Sequence, residues 1–403
     1  MEKYNEVKDK IPLLRFRNFQ QYKSWNKGTI DSIIECESSQ LTLGKLNLSD
    51  NGYPIYGADG IIGYITFYNK SHMYISIVKD GSGVGRLNLC QAYSSLLGTL
   101  NYLFSKDEKA YQIQWIYYLL QTIDFSNYIK GSGIPHIYFN DYKKHIIYIP
   151  SFDEQREIAD CLSSLDELIE ATAQKVETLK EHKKGLMQRL FPAEGKNVPD
   201  LRFPEFSLDA TWDIVSFSKY IKLFRGSSPR PIKEYLTDTV EGINWIKIGD
   251  TQYAKGFVLS EVKEKITKGG ADKSRYVYKG ELILANSMSF GKTYQLAIDG
   301  CIYDGWFVLR EYDEAYYKPF LLQLLNSDYV QNQYKRLSAG GIVLNISSEI
   351  VYQTHIFYTS MKEQKKIADC LSFLDELIET TSRKIEILKE HKRGLMQQLF
   401  PKI

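Results

Sequence analysis

The chain has 403 residues, of which 43% are hydrophobic and 25% charged, and its formal net charge is +2. This length exceeds one ordinary hydrophobic core and indicates two domains, while the near-neutral charge argues against a protein that coats nucleic acid unselectively. The five cysteines form no C-x-x-C pair, the amino terminus lacks the apolar core of a signal peptide, and no apolar run reaches the ~18 residues of a membrane span, so we expect a cytoplasmic protein without disulfides or a metal site.

Residues 1–150 combine short apolar runs with one helical stretch. The runs YPIYG (53–57), IIGYITFY (61–68) and MYISIV (73–78) predict strands. The stretch YQIQWIYYLLQTI (111–123) predicts a helix, and a glycine-rich turn, KGSGIPHI (130–137), follows it. We therefore expect a first mixed α/β domain over 1–150.

Residues 151–192 contain a sequence that recurs near the end of the chain, in 361–403. The segment 154–192 aligns with 363–401 without a gap, with 29 identities in 39 positions. The phrase EHKKGLMQRLFP (181–192) returns as EHKRGLMQQLFP (390–401). This is an internal duplication, and it indicates a fold with two matching halves.

Each copy of the repeat has an apolar heptad pattern, which predicts a long helix in a coiled coil. Seam positions follow one another in steps of four and three, and their apolar members are Ile158, Leu162, Leu165, Ile169, Val176, Leu179, Leu186 and Leu190, and in the second copy Ile367, Leu371, Leu374, Ile378, Ile385, Leu388, Leu395 and Leu399. Thr172, Lys183, Thr381 and Lys392 interrupt the seam with polar side chains, which fix register at a cost in stability. We expect the helices to pair with each other in antiparallel fashion and to end at Leu-Phe-Pro.

Residues 193–360 repeat the style of the first domain. INWIKIGD (243–250), GELILANS (280–287) and CIYDGWFVL (301–309) predict strands, and a helix is expected over 319–337, before the turn SAGGIVLNI (338–346). A shared motif also opens both halves: Pro12, Leu14, Arg15, Phe16, Phe19 and Trp25 return as Pro199, Leu201, Arg202, Phe203, Phe206 and Trp212. The predicted fold class is α+β, with two mixed α/β domains separated by two long helices in a pseudo-twofold internal repeat.

This plan of two divergent domains alternating with two nearly identical helices resembles the specificity subunit of a type I restriction–modification system. YGADGIIGY (56–64), GSGIPHI (131–137) and EQREIADCLSSLDELI (154–169) resemble recurring phrases of that family, and INWIKIGD and LILANSMSFGKTY resemble a common type of second domain. The resemblance covers nearly the whole chain. It implies two target-recognition domains that each recognise one part of a split DNA site, with the helices setting the gap.

The resemblance further implies that the chain is not an enzyme and holds no cofactor. Methylation would belong to modification subunits that use S-adenosylmethionine, and cleavage to restriction subunits that use ATP and magnesium. The outer faces of the two helices carry matching polar residues, including Glu181, His182 and Lys183 against Glu390, His391 and Lys392. A duplicated surface favours two copies of one partner, so we expect the chain to bind two modification subunits. We also expect it to bind double-stranded DNA and not to associate with a membrane.

Other functions remain open at this stage. A coiled-coil scaffold without a DNA role is the main alternative. SFGKTY (289–294) suggests a phosphate loop, but Asn286 stands where its first glycine belongs. Asp250, Glu261 and Lys263 have a nuclease-like spacing that a charged surface explains better, and no Pro-Pro dipeptide supplies the pocket of an amino-methylating enzyme.

Candidate DNA-binding residues are polar side chains on or near the glycine-rich turns, where backbone amides can approach phosphates. Arginine and lysine favour guanine, and asparagine favours adenine, when they reach the major groove. We expect contacts from Tyr56, Lys79, Ser82, Arg86 and His136 in the first domain, and from Lys247, Asp250, Asn286, Ser287, Ser289, Lys292 and Asn345 in the second.

Overall fold

The computed structural model describes residues 11–21, 24–131, 133–287, 291–338 and 346–401. The chain forms two compact units. Unit 1 contains the residues up to Thr172 together with those from Lys384 onward, and unit 2 contains Ala173–Arg383. Both boundaries fall inside long helices, so each unit includes the first part of one helix and the last part of the other. The four segments proposed from the sequence stay a prediction of domain boundaries.

The described residues form three sheets in each unit, and those of unit 1 are the pair β1-β9, the antiparallel order β2-β8-β5-β6, and the order β4-β3-β7. The strands Tyr53–Gly57 and Tyr74–Val78 confirm two of the predicted strands, the strand predicted over 61–68 covers Gly60–Ile65 only, and the helix predicted in 111–123 covers Ile113–Gln121. The elements are β1 (Asn26–Thr29), α1 (Ile30–Ile33), β2 (Ile34–Ser38), β3 (Tyr53–Gly57), β4 (Gly60–Ile65), β5 (Tyr74–Val78), β6 (Leu87–Cys90), β7 (Ser95–Leu96), β8 (Leu100–Ser105), α2 (Ile113–Gln121), α3 (Phe139–Tyr142), β9 (Ile146–Ile149) and α4 (Phe152–Leu190).

The sheets of unit 2 are β10-β21, β11-β20-β17-β18-β14 and β12-β15-β13-β19-β16. Its elements are β10 (Asp213–Ser216), β11 (Lys222–Arg225), β12 (Leu236–Thr237), β13 (Ile243–Ile246), β14 (Val258–Leu259), β15 (Glu264–Ile266), α5 (Lys268–Ala271), β16 (Arg275–Val277), β17 (Leu282–Ala285), β18 (Thr293–Leu296), β19 (Gly300–Ile302), β20 (Trp306–Arg310), α6 (Lys318–Asn326), α7 (Asp328–Leu337), α8 (Ser348–Gln353), β21 (His355–Tyr358) and α9 (Met361–Leu399).

The helix expected over 319–337 is divided into two helices, α6 and α7, because the helical conformation is interrupted at Ser327. Ser327 has the extended angles φ −67° and ψ 153°. The side chain of the preceding Asn326 bonds to β18 as well as to its own helix: its oxygen accepts from Thr293 N at 3.1 Å, and its nitrogen donates to Thr293 O and to Leu322 O, both at 2.9 Å. Side chains of Asn, Ser and Asp compete with helical hydrogen bonds, and here Asn326 joins α6 to β18.

The opening motif of each half binds the first turn of a long helix. Arg15 forms a two-pronged ion pair with the buried Glu154 of α4, at 2.7 and 2.8 Å. Arg202 pairs with Glu363 of α9 in the same way, at 2.8 and 2.9 Å. These are strong, planar contacts, and they explain why the arginine of the motif recurs.

The heptad prediction is confirmed, since every seam position of α4 and α9 is buried or half-buried. In unit 1, Ile158 and Leu162 share a core with Leu399, while Asp166 pairs with Lys392. As residue numbers increase along α4, the numbers of the residues that they contact on α9 decrease. The two helices therefore run antiparallel.

Unit 2 contains the same arrangement at the other ends of the two helices. Leu190 shares a core with Ile367 and Leu371, and Lys183 pairs with Asp375. The predicted antiparallel pairing is thus present within each unit. Buried Thr172 and Thr381, the other polar seam residues, donate their hydroxyls to the Leu168 and Leu377 carbonyls of their own helices.

Candidate nucleic-acid interface

The two units place corresponding loops at the same edge of corresponding sheets. The order β2-β8-β5-β6 in unit 1 matches the first four strands of β11-β20-β17-β18-β14 in unit 2. The β5–β6 connection (79–86) therefore corresponds to the β17–β18 connection (286–292). Both contain residues that the sequence singles out.

In unit 1, the connection 79–86 lies against the described residues of the glycine-rich turn, 130–131 and 133–137, and we name these segments loop pair 1. Ile137 N donates to Lys79 O at 2.8 Å, and Gly81 N donates to Pro135 O at 2.9 Å. Lys130 and His136 exchange backbone hydrogen bonds of 2.9 and 2.8 Å across the turn. These bonds hold the two loops as one surface.

Glycine is required at the tight turn of this surface. Gly131 has a φ of +94°, an angle that residues with a side chain rarely adopt. A Cβ atom at this position would lie 2.5 Å from Ile134 O. The turn brings His136 next to Tyr138, with ring centroids 5.1 Å apart. The two rings are tilted by 50°, and since Tyr138 is exposed, its ring lies at the surface beside the polar groups of the loop.

The structure brings four of the five first-domain candidates together on loop pair 1. Ser82 and Arg86 are exposed, and Lys79 and His136 are half-buried. The Arg86 guanidinium pairs with Asp59, which lies in the β3–β4 turn. Arginine, lysine, serine and histidine side chains all donate to phosphate or base oxygens, so this surface has the chemistry of a nucleic-acid contact.

Tyr56 differs from the sequence-based expectation because it belongs to the core. Its side chain is 7% exposed and packs with Tyr74 and Leu96. Its hydroxyl accepts a hydrogen bond from Gln91 N at 3.2 Å, and burial raises its pKa. We therefore remove Tyr56 from the candidate contact set.

Unit 2 builds its loop pair with the same backbone contact. Ile346 N donates to Asn286 O at 2.7 Å, matching the bond from Ile137 to Lys79 in unit 1. We name the described parts of this region, residues 286–287, 291–292 and 346, loop pair 2. Ser289 and Asn345 were also expected here, and they lie outside the described residues.

Within loop pair 2, Asn286 is a support and not an exposed donor. It is buried, and its Nδ2 donates to Asp304 O at 2.8 Å. Ser287 and Lys292 are half-buried. Burial lowers the pKa of Lys292, and the charge of Lys335 adds to this effect while Asp328 opposes it. A cation held with part of its hydration removed gains more from a phosphate than a fully solvated one.

Lys247 and Asp250 lie after β13, in the other large sheet of unit 2. Asp250 is buried, and its carboxylate accepts from Lys247 N at 2.7 Å and Lys263 N at 3.2 Å. It therefore stabilises the turn that begins at Ile248, and we remove both Asp250 and Asn286 from the contact set. Lys247 is half-buried, and its ammonium pairs with Glu264.

The sequence analysis missed the loop after β11, RGSSPR (225–230). Ser228 donates its hydroxyl to Asp304 Oδ1 at 2.7 Å, and Arg225 Nε donates to Asp304 O at 3.3 Å. Arg225 and Asn286 therefore donate hydrogen bonds to the same acceptor, the Asp304 carbonyl oxygen. The available signal was a glycine and two serines between arginines, a composition that suits close approach to phosphate.

A metal centre and a membrane span receive no support within the described ranges. No group of three or more His, Cys, Asp or Glu side chains among those residues comes together as a metal site. None of the helices in the described parts of the chain is long and apolar enough to cross a lipid bilayer. The five cysteines are free, and burial raises the pKa of Cys36 and Cys301 to about 11 and that of Cys90 to about 12.

Comparison with known proteins agrees with this architecture. The type I restriction enzyme MjaVIII specificity subunit of Methanocaldococcus jannaschii is 24% identical over 367 residues, which cover 86% of this chain and 83% of that protein. The crystal structure of a type I restriction–modification system S subunit from M. genitalium is similar in fold, with a TM-score of 0.65 at 18% identity over 98% of this chain and 100% of that one.

A third similar protein comes from structural work on complex assembly and conformational transition of the type I R-M system, with a TM-score of 0.57 at 14% identity over 93% of this chain and 96% of that one. The family model of the type I restriction modification DNA specificity domain matches this chain twice, at residues 22–181 and 213–390. Because those two matches span most of the sequence and each includes one loop pair, the chain belongs to the type I restriction–modification DNA specificity family.

Proposed function

We propose that each loop pair recognises one half of a bipartite DNA target, and that the chain performs no catalysis itself. The observation that supports this is the shared backbone contact, Ile137 to Lys79 and Ile346 to Asn286. The same frame is built twice, but it presents different side chains. Two loop pairs with a shared backbone contact and unlike side chains suit two different half-sites, because base edges are distinguished by side-chain donors and acceptors.

The retained contact residues suit phosphate positioning and base recognition. Lys79, Ser82, Arg86 and His136 serve this role on loop pair 1, and Ser287 and Lys292 on loop pair 2, with Lys247 near the second sheet. Arg86 is held by Asp59 in the free protein. A surface ion pair of this kind is weak, so DNA can replace it.

Two copies of a methyltransferase subunit are the partners that the duplicated helices fit. Each unit has a cleft beside the last turns of a long helix, of about 490 Å³ in unit 2 and 870 Å³ in unit 1. The repeat supplies the same lining twice, namely Lys180, Lys183, Lys184, Met187, Gln188 and Phe191 in unit 2 and Lys389, Lys392, Arg393, Met396, Gln397 and Phe400 in unit 1. One partner surface can therefore bind both clefts.

The chemistry of the system would then reside in the partners, within the cytoplasm. The modification subunits would use S-adenosylmethionine, and restriction subunits would use ATP and magnesium. The chain would supply the DNA sequence at which they act.

Domain exchange tests this proposal. The protein is produced with the modification subunits of its own system, and methylated sequences in the host genome are mapped. Replacing residues 12–150 with the matching segment of a relative is expected to change one half of the methylated sequence and leave the other half and the gap intact. A simultaneous change in both halves would contradict independent recognition, and a wild-type complex that methylates no defined sequence would contradict the function itself.

A further inference from the structure

The loop 225–230 of unit 2 is fixed by its backbone to the turn between β19 and β20. Gly226 N donates to Trp306 O at 2.9 Å, and Ser227 N donates to Ile302 O at 3.2 Å. A Cβ at Gly226 would lie 2.0 Å from Tyr303 O, so only glycine permits this approach. The backbone position of the loop is therefore well defined.

Two arginines beside this loop are oriented by their Nε atoms. Arg225 Nε donates to Asp304 O, and Arg275 Nε on β16 donates to Arg225 O, both at 3.3 Å. The Arg275 guanidinium also lies over the Phe224 ring, 5.6 Å from its centroid. Within the described residues, no hydrogen bond occupies the Nη groups of either arginine. A guanidinium held in this way offers its two terminal nitrogens as a planar fork for phosphate.

Two more cations extend the same surface. The Arg230 side chain is 84% exposed and lies 3.8 Å from Asp304 Oδ2. Lys273 is exposed and adjoins the loop, because its carbonyl accepts from Ser227 Oγ at 3.1 Å. We name Arg225, Arg230, Lys273 and Arg275 the cationic strip. Asp304 lies beside Arg230, the charge of Glu234 acts on Lys273, and the Lys273 ammonium donates to the Tyr235 hydroxyl. Four cations against these two carboxylates leave an excess of positive charge.

The strip is continuous with loop pair 2. The Asp304 carbonyl accepts from Arg225 Nε and also from Asn286 Nδ2. A duplex held at loop pair 2 would therefore pass close to the arginine forks. Phosphate contacts next to a base-reading surface set the register of the duplex without reading its sequence.

We propose that the cationic strip binds the sugar–phosphate backbone of DNA beside loop pair 2 and positions the duplex without selecting bases. This inference rests on the proposed function. It assigns a DNA-positioning role to residues outside both loop pairs.

Salt dependence of DNA binding tests the strip. The full chain, assembled with its modification subunits, selects a duplex from a random-sequence library, and affinity is measured for that duplex and for an unrelated one between 50 and 200 mM salt, the range over which phosphate contacts strongly affect binding. For Arg225→Gln/Arg275→Gln we expect the slope of log affinity against log salt to fall by about 1.8, since each phosphate contact contributes about 0.9. The ratio of affinities for the two duplexes should stay as in the wild type.

A second variant guards against misfolding. Arg230→Gln/Lys273→Gln removes two exposed charges without removing the Nε bonds that join β11 to β16, and it should lower the slope by a similar amount. The matched control is Lys222→Gln, on the same strand as Arg225 but paired with Glu311, and it should leave the slope unchanged. Wild-type slopes in both double variants would overturn the inference, as would a collapse of the affinity ratio. A wild-type complex that selects no duplex would instead overturn the proposed function.

Discussion

Lys392 Nζ donates to both carboxylate oxygens of Asp166, at 2.6 and 2.7 Å. The lysine occupies a seam position of α9 and is only 15% exposed at its side chain. Tyr118 of α2 donates its hydroxyl to the same carboxylate at 2.8 Å. One aspartate of α4 thus connects the opposite helix and the helix of the α/β domain.

Unit 2 repeats this connection with a different third residue. Lys183 Nζ donates to both oxygens of Asp375 at 2.7 Å, and Gln323 Nε2 donates to the same carboxylate at 3.0 Å. A lysine in an apolar seam is tolerated here because a carboxylate meets it. We infer that these pairs hold each domain in place on the helices.

Removing the carboxylate should be more damaging than removing the lysine. Asp166→Ala leaves Lys392 in the seam without its partner, and we expect a loss of about 1–3 kcal/mol in unfolding free energy, limited because Asp166 is partly exposed. Lys392→Leu restores an apolar seam and should be close to neutral. Thermal unfolding compares both with Asp160→Ala, an exposed control on the same helix. Equal losses from Asp166→Ala and Asp160→Ala would contradict the assigned role.

The stability of unit 1 should depend on pH through His145. Burial lowers the pKa of His145 from its ordinary value of 6.5, and its Nδ1 lies 2.5 Å from the Tyr128 hydroxyl. The unfolded chain therefore takes up this proton at a higher pH than the folded chain. The stabilisation that neutral His145 gives to the folded state is fully present above the pKa of the unfolded chain. It is lost as the pH falls from that value toward the lower pKa of the folded chain.

His145→Gln should accordingly reduce the decline in unfolding temperature between about pH 7 and pH 5. The control is His391→Gln, because His391 is exposed on α9. The same decline in His145→Gln as in the wild type would show that this histidine does not couple folding to pH.

The matched clefts predict a stepwise loss of partners. Lys184→Glu and Arg393→Glu each reverse one exposed charge, at equivalent positions of the two repeats. We expect either single variant to retain one methyltransferase subunit per chain and the double variant to retain none, as measured by native mass spectrometry. The control is Glu157→Lys, which also reverses one charge but lies near the start of α4, outside the lining of both clefts. Two bound subunits in the double variant would exclude the clefts as docking sites.

The length of the helices should determine the gap between half-sites. Adding one heptad after Lys180 and another after Lys389 preserves the seam and lengthens each helix by about 10 Å. This corresponds to nearly three base pairs at about 3.4 Å each, together with a rotation of roughly 100° along the duplex. We therefore expect weaker methylation at the original site.

A series of duplexes with altered gaps shows whether activity returns at another whole number of base pairs. If the lengthened protein fully methylates the site with the original gap, the helices do not set the gap, and the repeat serves only to bind partner subunits. Insertion of the heptad in one helix only is the matched control, since it breaks the pairing of the seam.

The sequence by itself determined the features that depend on periodicity and repetition. The heptad steps place every seam residue of α4 and α9 inward, because a helix of 3.6 residues per turn must bury such a stripe. The internal repeat predicted two matching halves, and the glycine-rich turns identified the loop pairs, because glycine marks positions where the backbone needs positive φ or close contact.

Only the tertiary structure decided which polar side chains are available at those loops. Asp250 and Asn286 were expected to contact DNA because they are polar residues near glycine-rich turns, but burial commits their side chains to backbone groups. The cationic strip joins Arg225 to Arg275, 50 positions apart in the chain. Arg225 and Arg275 lie on strands of two different sheets, so this contact depends on how the two sheets lie next to each other, which leaves no local signal in the sequence.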